Sequence, residues 1–318
     1  MRGWLLEVRV KPGRLAHIEI APAQAKKESL SMSDAVRLSD IAADYDAILC
    51  DVWGVIRDGR SLVDPALEAL ARFKAAGGQV VLVSNSPRRS GSLLNFLDEM
   101  GGFGPQRPRP FDDAVTSGDA THALLAARAP GPAFKLGPAW DDALYEGTGL
   151  EFAPLEDAAF ISCTGLFDYE TETVDDYTDL LREAQLRRLP MVCANPDIVV
   201  QVGDRLLPCA GALAQAYEAM GGETHFAGKP HPPIYDLAYQ RLAELNGGQP
   251  VDKTRLLAIG DGPQTDISGA QQEGIDAFFI AGGILGERFS GAFDPAAADG
   301  VLAEDQVAAR YSAAALVW

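Results

Sequence analysis

The sequence predicts an α/β protein: a doubly wound parallel core with a second, smaller α/β domain inserted into it. Three observations carry this. Short apolar runs, AILCDVW (47–53), QVVLVSNS (79–86) and RLLAIGD (255–261), read as strands buried on both faces. Helix-like patterns stand between them, and that alternation implies a parallel sheet with helices on either side. Between residues 119 and 207 the alternation continues on its own terms, with enough chain for a separate domain. The expected organisation is therefore an N-terminal extension over 1–35, a core from 36–118 and 208–318, and the inserted domain at 119–207.

Each element has its own local signal. Residues 1–35 mix a short alternation (HIEIA) with a polar run (AQAKKESLSMSD) and read as a flexible arm, with Met32 an alternative start. SDAVRLSDIAADY reads as a short helix leading into the fold. Asp64 and Pro65 suit a helix start, one as cap and one at the first helical position, and ALEALARFKAA stops at Gly77-Gly78. SLLNFLDEM is a second helix, ended by Gly101-Gly102, and GGFGPQRPRP is a loop. DAVTSGD and THALLAARA follow as strand and helix. The inserted region reads AFKLG and EDAAFISCTG as strands, TVDDYTDLLREAQLRR as a helix and PMVCAN as a strand. The core pattern then resumes with the helix GALAQAYEAM, the strand THFAGKP and the helix PPIYDLAYQRLAELNG. RLLAIGD, the helix TDISGAQQEG and a final strand DAFFIAGG complete it, with the last residues to Trp318 packing as a helix.

Composition narrows the classes. The chain's 318 residues suffice for two domains, and 47% hydrophobic with 23% charged residues is ordinary for a folded soluble protein. No apolar run reaches the roughly 18 residues that a membrane span needs. MRGWLLEVRVKPGR lacks the pattern of a secretion signal, so a cytoplasmic location is expected. Cys50, Cys163, Cys193 and Cys209 lack CxxC spacing and sit in or beside apolar stretches, as buried free thiols do. A formal net charge of −18 disfavours nucleic acid and anionic membranes as partners.

In a doubly wound sheet, ligands collect at the carboxyl ends of the strands. Here those ends carry a constellation: Asp51 closes the first strand, Ser84 and Asn85 the second. Lys229 follows THFAGK, and Asp261 closes RLLAIGD with Asp266 just beyond. Carboxylates, a lysine and a hydroxyl suit phosphoryl transfer on magnesium, a hard cation that prefers oxygen ligands. The lysine and hydroxyl would balance the oxygens of the transferring group. A phosphate-like substrate must then be drawn in by local positive charge, against the overall field. Blander readings compete. Thr265 and Asp266 could simply cap a helix, and Lys229 could lie on the surface. For Asp51 the capping alternative is poor, because no helix stands immediately behind it.

DVWGV, VLVSNS, GKP and GDGPQTDI stand in the order and spacing of the four motifs of the haloacid dehalogenase superfamily, which the chain resembles over about residues 40–290. ANPD and LLPCAGAL before GKP make the insertion similar to the class II cap of the 4-nitrophenylphosphatase, nucleotide and sugar phosphatase branch. The resemblance implies a Rossmann-like core, Mg2+ as cofactor and a small phosphorylated metabolite as substrate. It implies that Asp51 attacks phosphorus to give an aspartyl-phosphate. Mg2+ would be held by Asp51, the backbone carbonyl of Trp53 and Asp261, with Asp266 close by. Ser84 would bond a phosphate oxygen, Lys229 would neutralise charge, and Asn85 would orient the loop or the substrate. Pairing through the caps, as relatives often do, makes a homodimer a further expectation.

One departure matters most. Superfamily phosphatases usually carry a second aspartate two residues after the nucleophile, as general acid and base; here Trp53 stands there. General acid catalysis is typically worth about 10²–10⁴-fold. The backbone carbonyl, and with it the metal site, survives. Three readings follow: a phosphatase that takes its proton from Asp58, Asp197 or His231, or needs none; a metal-independent dehalogenase-like hydrolase; or a catalytically weak protein that binds a phosphorylated ligand. Asp197 and Asn195 belong to ANPD. Phe167, Asp168 and Tyr169 sit where a cap loop could reach substrate.

Overall fold

The structure, a computed structural model, describes residues 36–202, 205–289 and 292–318. The expected extension over 1–35 lies outside the described residues. Described chain begins with a helical turn, α1 (Leu38–Ile41), and a 3-10 turn over Ala42–Asp44.

The six-stranded sheet is built from β1 (Ala47–Cys50), β2 (Gln79–Ser84), β3 (Asp113–Thr116), β10 (Leu256–Gly260), β11 (Asp276–Ile280) and β12 (Tyr311–Ala313), ordered β12-β11-β10-β1-β2-β3. Every pairing in it is parallel. Such a sheet buries both faces, which is why β1 and β10 are apolar throughout and fully buried. One face carries α1, α2 (Asp64–Ala75) and α3 (Ser90–Gly101) over Ile48, Cys50, Val80, Leu82, Phe73 and Leu97. The other carries α7 (Pro232–Leu245), α8 (Ser268–Glu273) and α9 (Pro295–Glu304) over Leu49, Val81, Val83, Ala258 and Phe279. The strand order reverses between β1 and β10, so the topological switch point lies at their carboxyl ends. Asp51 and Asp261 stand there, each one residue past its strand.

A second parallel sheet holds β4 (Ala133–Leu136), β5 (Phe160–Cys163), β6 (Met191–Cys193) and β9 (Thr224–Phe226), in that order. Around it pack α4 (Ser117–Ala126), α5 (Thr178–Leu186) and α6 (Ala210–Ala219), through Leu125, Leu181, Leu213 and Tyr217. An antiparallel hairpin, β7 (Val199–Val202) and β8 (Arg205–Pro208), projects from this layer.

Two expectations need correction. The boundary at residue 207 would put α6 and THF with the core, but β9 pairs with β6 (Met191 opposite Thr224) and α6 covers the same sheet. The second layer therefore runs to Phe226, because its last strand is contributed from beyond the hairpin. The chain also does not end as a helix after a final strand DAFFI. Tyr311–Ala313 adds to the edge of β11, Phe278 opposite Tyr311, and the helix α9 precedes it. All four cysteines are buried and free. Among the described residues, no helix is long and apolar enough to cross a membrane.

Candidate active site

The parallel register sets the first part of the site. Cys50 lies opposite Ile259, and the Asp51 amide donates to the Ile259 carbonyl at 2.8 Å, so Asp51 and Asp261 emerge side by side. Asp266 reaches the same point from a π-helical turn over Pro263–Ile267 that follows β10. Side-chain oxygens of Asp51, Asp261 and Asp266 all lie within 4.8 Å of one another, and all three residues are buried.

Lys229 answers part of this charge. Its ammonium, 3% exposed, donates to Asp51 Oδ1 at 2.6 Å and to Asp266 Oδ1 at 2.7 Å. Asn85 holds the lysine in place by clamping its backbone: the Lys229 amide donates to Asn85 Oδ1 at 2.7 Å, and Asn85 Nδ2 donates to the Lys229 carbonyl at 3.1 Å. Asn85 Nδ2 also donates to Asp197 Oδ1 at 2.7 Å, tying the second layer to the core at this point. Ser84 is buried at the end of β2, where its Oγ accepts from the Ser86 amide at 3.2 Å.

Three carboxylates against one ammonium leave an electrostatic deficit. Burial pushes the Asp51 carboxyl up to about 7; Lys229 pulls it back and Asp266 adds to the rise. The Asp261 carboxyl is pushed well above the usual range by burial, then by Asp51 and Asp266. Burial alone would lower the Lys229 ammonium, but Asp266, Asp51 and Asp197 outweigh it and hold the charge in place. The Ile284 amide braces Asp261 Oδ2 at 2.5 Å. Gly54, with φ +80°, passes so close that a Cβ there would come within 1.8 Å of Asp261 Oδ2. Buried, mutually repelling oxygens in a fixed cluster are what a hard divalent cation requires. The donor set therefore fits Mg2+, with Asp51, Asp261 and Asp266 as the residues that would hold it.

Asp51, Trp53, Asp58, Ser84, Asn85, Asp197, Lys229, His231, Asp261 and Asp266 all line one cleft of about 740 Å³. Their environments differ. Asp58 is exposed and closes a turn, accepting from the Ser61 and Arg60 amides, and these bonds hold its carboxyl below the ordinary range. Asp197 is half-buried; burial raises its carboxyl, with Lys229 and Asn85 opposing. His231 stacks flat on Phe226, centroids 5.0 Å apart, and burial lowers its imidazole. Asn195 stands behind the cleft wall, where its Oδ1 accepts from the Asp197 amide at 3.0 Å. Phe167, Asp168 and Tyr169 are not among the lining residues. Asp168 instead closes a local turn through the Glu170 amide and the Thr171 hydroxyl.

Sequence reasoning missed two parts of the wall. Ile198, Val199, Val200 and Leu206, in and just before the β7–β8 hairpin, overhang the cleft as an apolar flap. Arg57 lies in the wall beside Trp53, its guanidinium 3.9 Å from the indole centroid. The signal for Arg57 was a cation set directly after buried Val55 and Ile56 in GVIRDG.

A doubly wound sheet with an acid-lysine cluster at its switch point defines a hydrolase of the haloacid dehalogenase class. Comparison with known proteins agrees. The family model described as haloacid dehalogenase-like hydrolase matches residues 48–151, and one described as HAD-hydrolase-like matches residues 226–304. A haloacid dehalogenase-like hydrolase from Brucella suis is 42% identical, superposes with a TM-score of 0.78, and covers 88% of this chain and 99% of its own. Human chronophin is 27% identical over 247 residues, 72% of this chain and 79% of its own length. An acid sugar phosphatase of Staphylococcus aureus is 25% identical, over 76% of this chain and 88% of its own. The chain belongs to the haloacid dehalogenase-like hydrolase family.

Proposed function

We propose that this protein is a Mg2+-dependent phosphatase of small phosphate monoesters, working through an aspartyl-phosphate on Asp51. The observation that carries the reading is the cluster of Asp51, Asp261 and Asp266 around the Lys229 ammonium. Relatives named as phosphatases support it. When bound, Mg2+ would polarise the phosphoryl oxygens and offset the charge of the three acids. An Asp51 oxygen attacks phosphorus as the ester P–O bond breaks, and the leaving oxygen takes a proton. Water then attacks phosphorus, the Asp51 O–P bond breaks, and inorganic phosphate leaves. Lys229 holds Asp51 in line and shares the charge that builds on the phosphoryl oxygens. Ser84, buried at the end of β2, would donate to one of them.

Trp53 cannot give the leaving oxygen its proton. Of the three substitutes, Asp58 is held ionised by its turn, and His231 is held neutral by burial. Asp197 is the carboxyl that burial drives toward the protonated form, and Asn85 fixes its orientation. Asp197 therefore fits best as the acid, taking its proton back from the attacking water in the second step.

Phosphate release from p-nitrophenyl phosphate, with and without Mg2+ and with Asp51→Asn as control, tests the reading. Metal-dependent turnover abolished by the substitution is expected. Halide release without metal, or tight binding of phosphate esters with no turnover above Asp51→Asn, would overturn it. Asp197→Asn should slow alkyl phosphates far more than p-nitrophenyl phosphate, whose leaving group hardly needs an acid.

A further inference from the structure

Arg57 is buried, 9% exposed, in the wall of the catalytic cleft. Its guanidinium packs against two aromatic rings, 3.9 Å from the Trp53 centroid and 4.8 Å from that of Phe96. Nη2 donates to the Gly59 carbonyl at 3.0 Å; Nε has no hydrogen-bond partner but is sealed from solvent, so only the Nη end can meet a ligand in the cleft. Asp58 lies near enough to favour the charge, but its oxygens are engaged by Ser61 and the Arg60 amide. Arg288, also in the cleft wall, is already paired bidentately with Glu304. A largely buried guanidinium is costly unless an anion meets it. Two aromatic rings pack against it, leaving its Nη end for charge-assisted capture of an oxyanion.

We infer that Arg57, held by Trp53 and Phe96, recognises a second anionic group, a carboxylate, on the alcohol side of the phosphate ester. The inference rests on the phosphatase reading and narrows its substrate class. It also gives Trp53 a purpose. An aspartate at that position would neutralise Arg57, whereas an indole holds the cation and leaves its charge for the substrate.

The test compares matched esters whose alcohol is neutral or carboxylate-bearing, glycerol 3-phosphate against 3-phosphoglycerate. Wild type should favour the carboxylate by about 10–100-fold in kcat/KM, the range expected of a charge-assisted bidentate pair. Arg57→Met should collapse that ratio toward one, and Arg57→Lys should restore only part of it, since an ammonium lacks the fork. Equilibrium binding of the same esters to Asp51→Asn, with and without Arg57→Met, reads the subsite even if no ester is turned over, so failure of the phosphatase reading is seen separately. A far-ultraviolet melt of each variant checks folding. No preference for the carboxylate in wild type, or equal losses on both esters in Arg57→Met and Arg57→Lys, would overturn the assignment. Preference for a bisphosphate over 3-phosphoglycerate would overturn the carboxylate in favour of a second phosphate.

Discussion

At the scale of single residues, Trp53 and Arg57 behave as one unit, and this decides what restoring the lost acid would do. A carboxylate installed by Trp53→Asp would stand beside a guanidinium now 3.9 Å from the indole centroid. A cation that near depresses a carboxyl by about 1–3 pH units, so the new aspartate would stay ionised and donate nothing. Trp53→Asp alone should therefore leave the hydrolysis of alkyl phosphates no faster, while Trp53→Asp with Arg57→Leu should accelerate it by about 10²-fold or more. Steady-state rates on glycerol 3-phosphate decide, and a gain from the single change would sink the idea. Asp141 poses a different single-residue question. It is 5% exposed in the 3-10 turn over Ala139–Tyr145, and burial pushes its carboxyl up to about 6, with Arg88 and Thr164 opposing. A folded-state value above the unfolded one means the folded chain binds the proton more tightly. Stability from this group is thus complete below about pH 4 and lost as pH rises through about 6. The shift from 3.8 to about 6 corresponds to roughly 3 kcal/mol. Asp141→Asn should be more stable than wild type at pH 8 by up to about that amount and should match it near pH 4. Urea midpoints at the two values measure this, and equal differences at both would refute it.

Elements explain which parts of the site were readable. β1, β2 and β10 announced themselves because a parallel strand covered on both faces must be apolar through its middle, and the polar residue that bears the chemistry stands at its end or just past it. The placing of Asp51, Asn85 and Asp261 at one end of the core sheet was legible for that reason, whereas Lys229 comes in after THF, a strand of the second sheet. THF was assigned to the wrong sheet because three residues carry no information about a partner strand more than thirty positions away. YSA was missed because an edge strand of three residues has no period to detect. Arg57 and the hairpin flap were invisible for a related reason: stacking and overhang arise only when loops from separate elements meet. The turn after β11 is a case where local backbone serves the site. Gly283 lies so close to Asp261 that a Cβ would sit 2.1 Å from its Oδ2, and the next amide, Ile284, braces the same oxygen. Gly283→Ala should displace Asp261 from the cluster and weaken Mg2+ binding by about 10–100-fold, the usual effect of disturbing the groups that hold a ligand. Turnover titrated against Mg2+ gives the value. An unchanged midpoint would mean that Asp261 is not held by this turn, or is not a ligand.

For the whole molecule, charge is the governing quantity. A net charge of −18 with an isoelectric point near 4.6 means that folding concentrates acid on acid. That repulsion is concentrated at the switch point, where Asp51, Asp261 and Asp266 cluster and Lys229 pairs with two of them, Asp51 and Asp266. The same repulsion would couple the stability of the fold to a cation bound there. An ion bound only by the folded chain stabilises it by about 2.7 kcal/mol at a hundredfold excess over Kd. In a protein of this size each kcal/mol moves Tm by about 2–4 °C, so saturating Mg2+ should raise Tm by about 5–10 °C and a chelator should reverse it. Ionic strength must be matched with monovalent salt, because screening alone relieves part of the repulsion between exposed acids. Asp261→Asn separates the two effects. It removes a carboxyl that burial and its two neighbours already drive toward the protonated form, so the metal-free variant should melt close to metal-free wild type, while its gain on adding Mg2+ should shrink to a degree or two. A full-sized Mg2+ shift in that variant, or none in wild type, would locate the cation away from this cluster. A shift that appears only in wild type would tie the stability of the core sheet to the three carboxylates at its switch point.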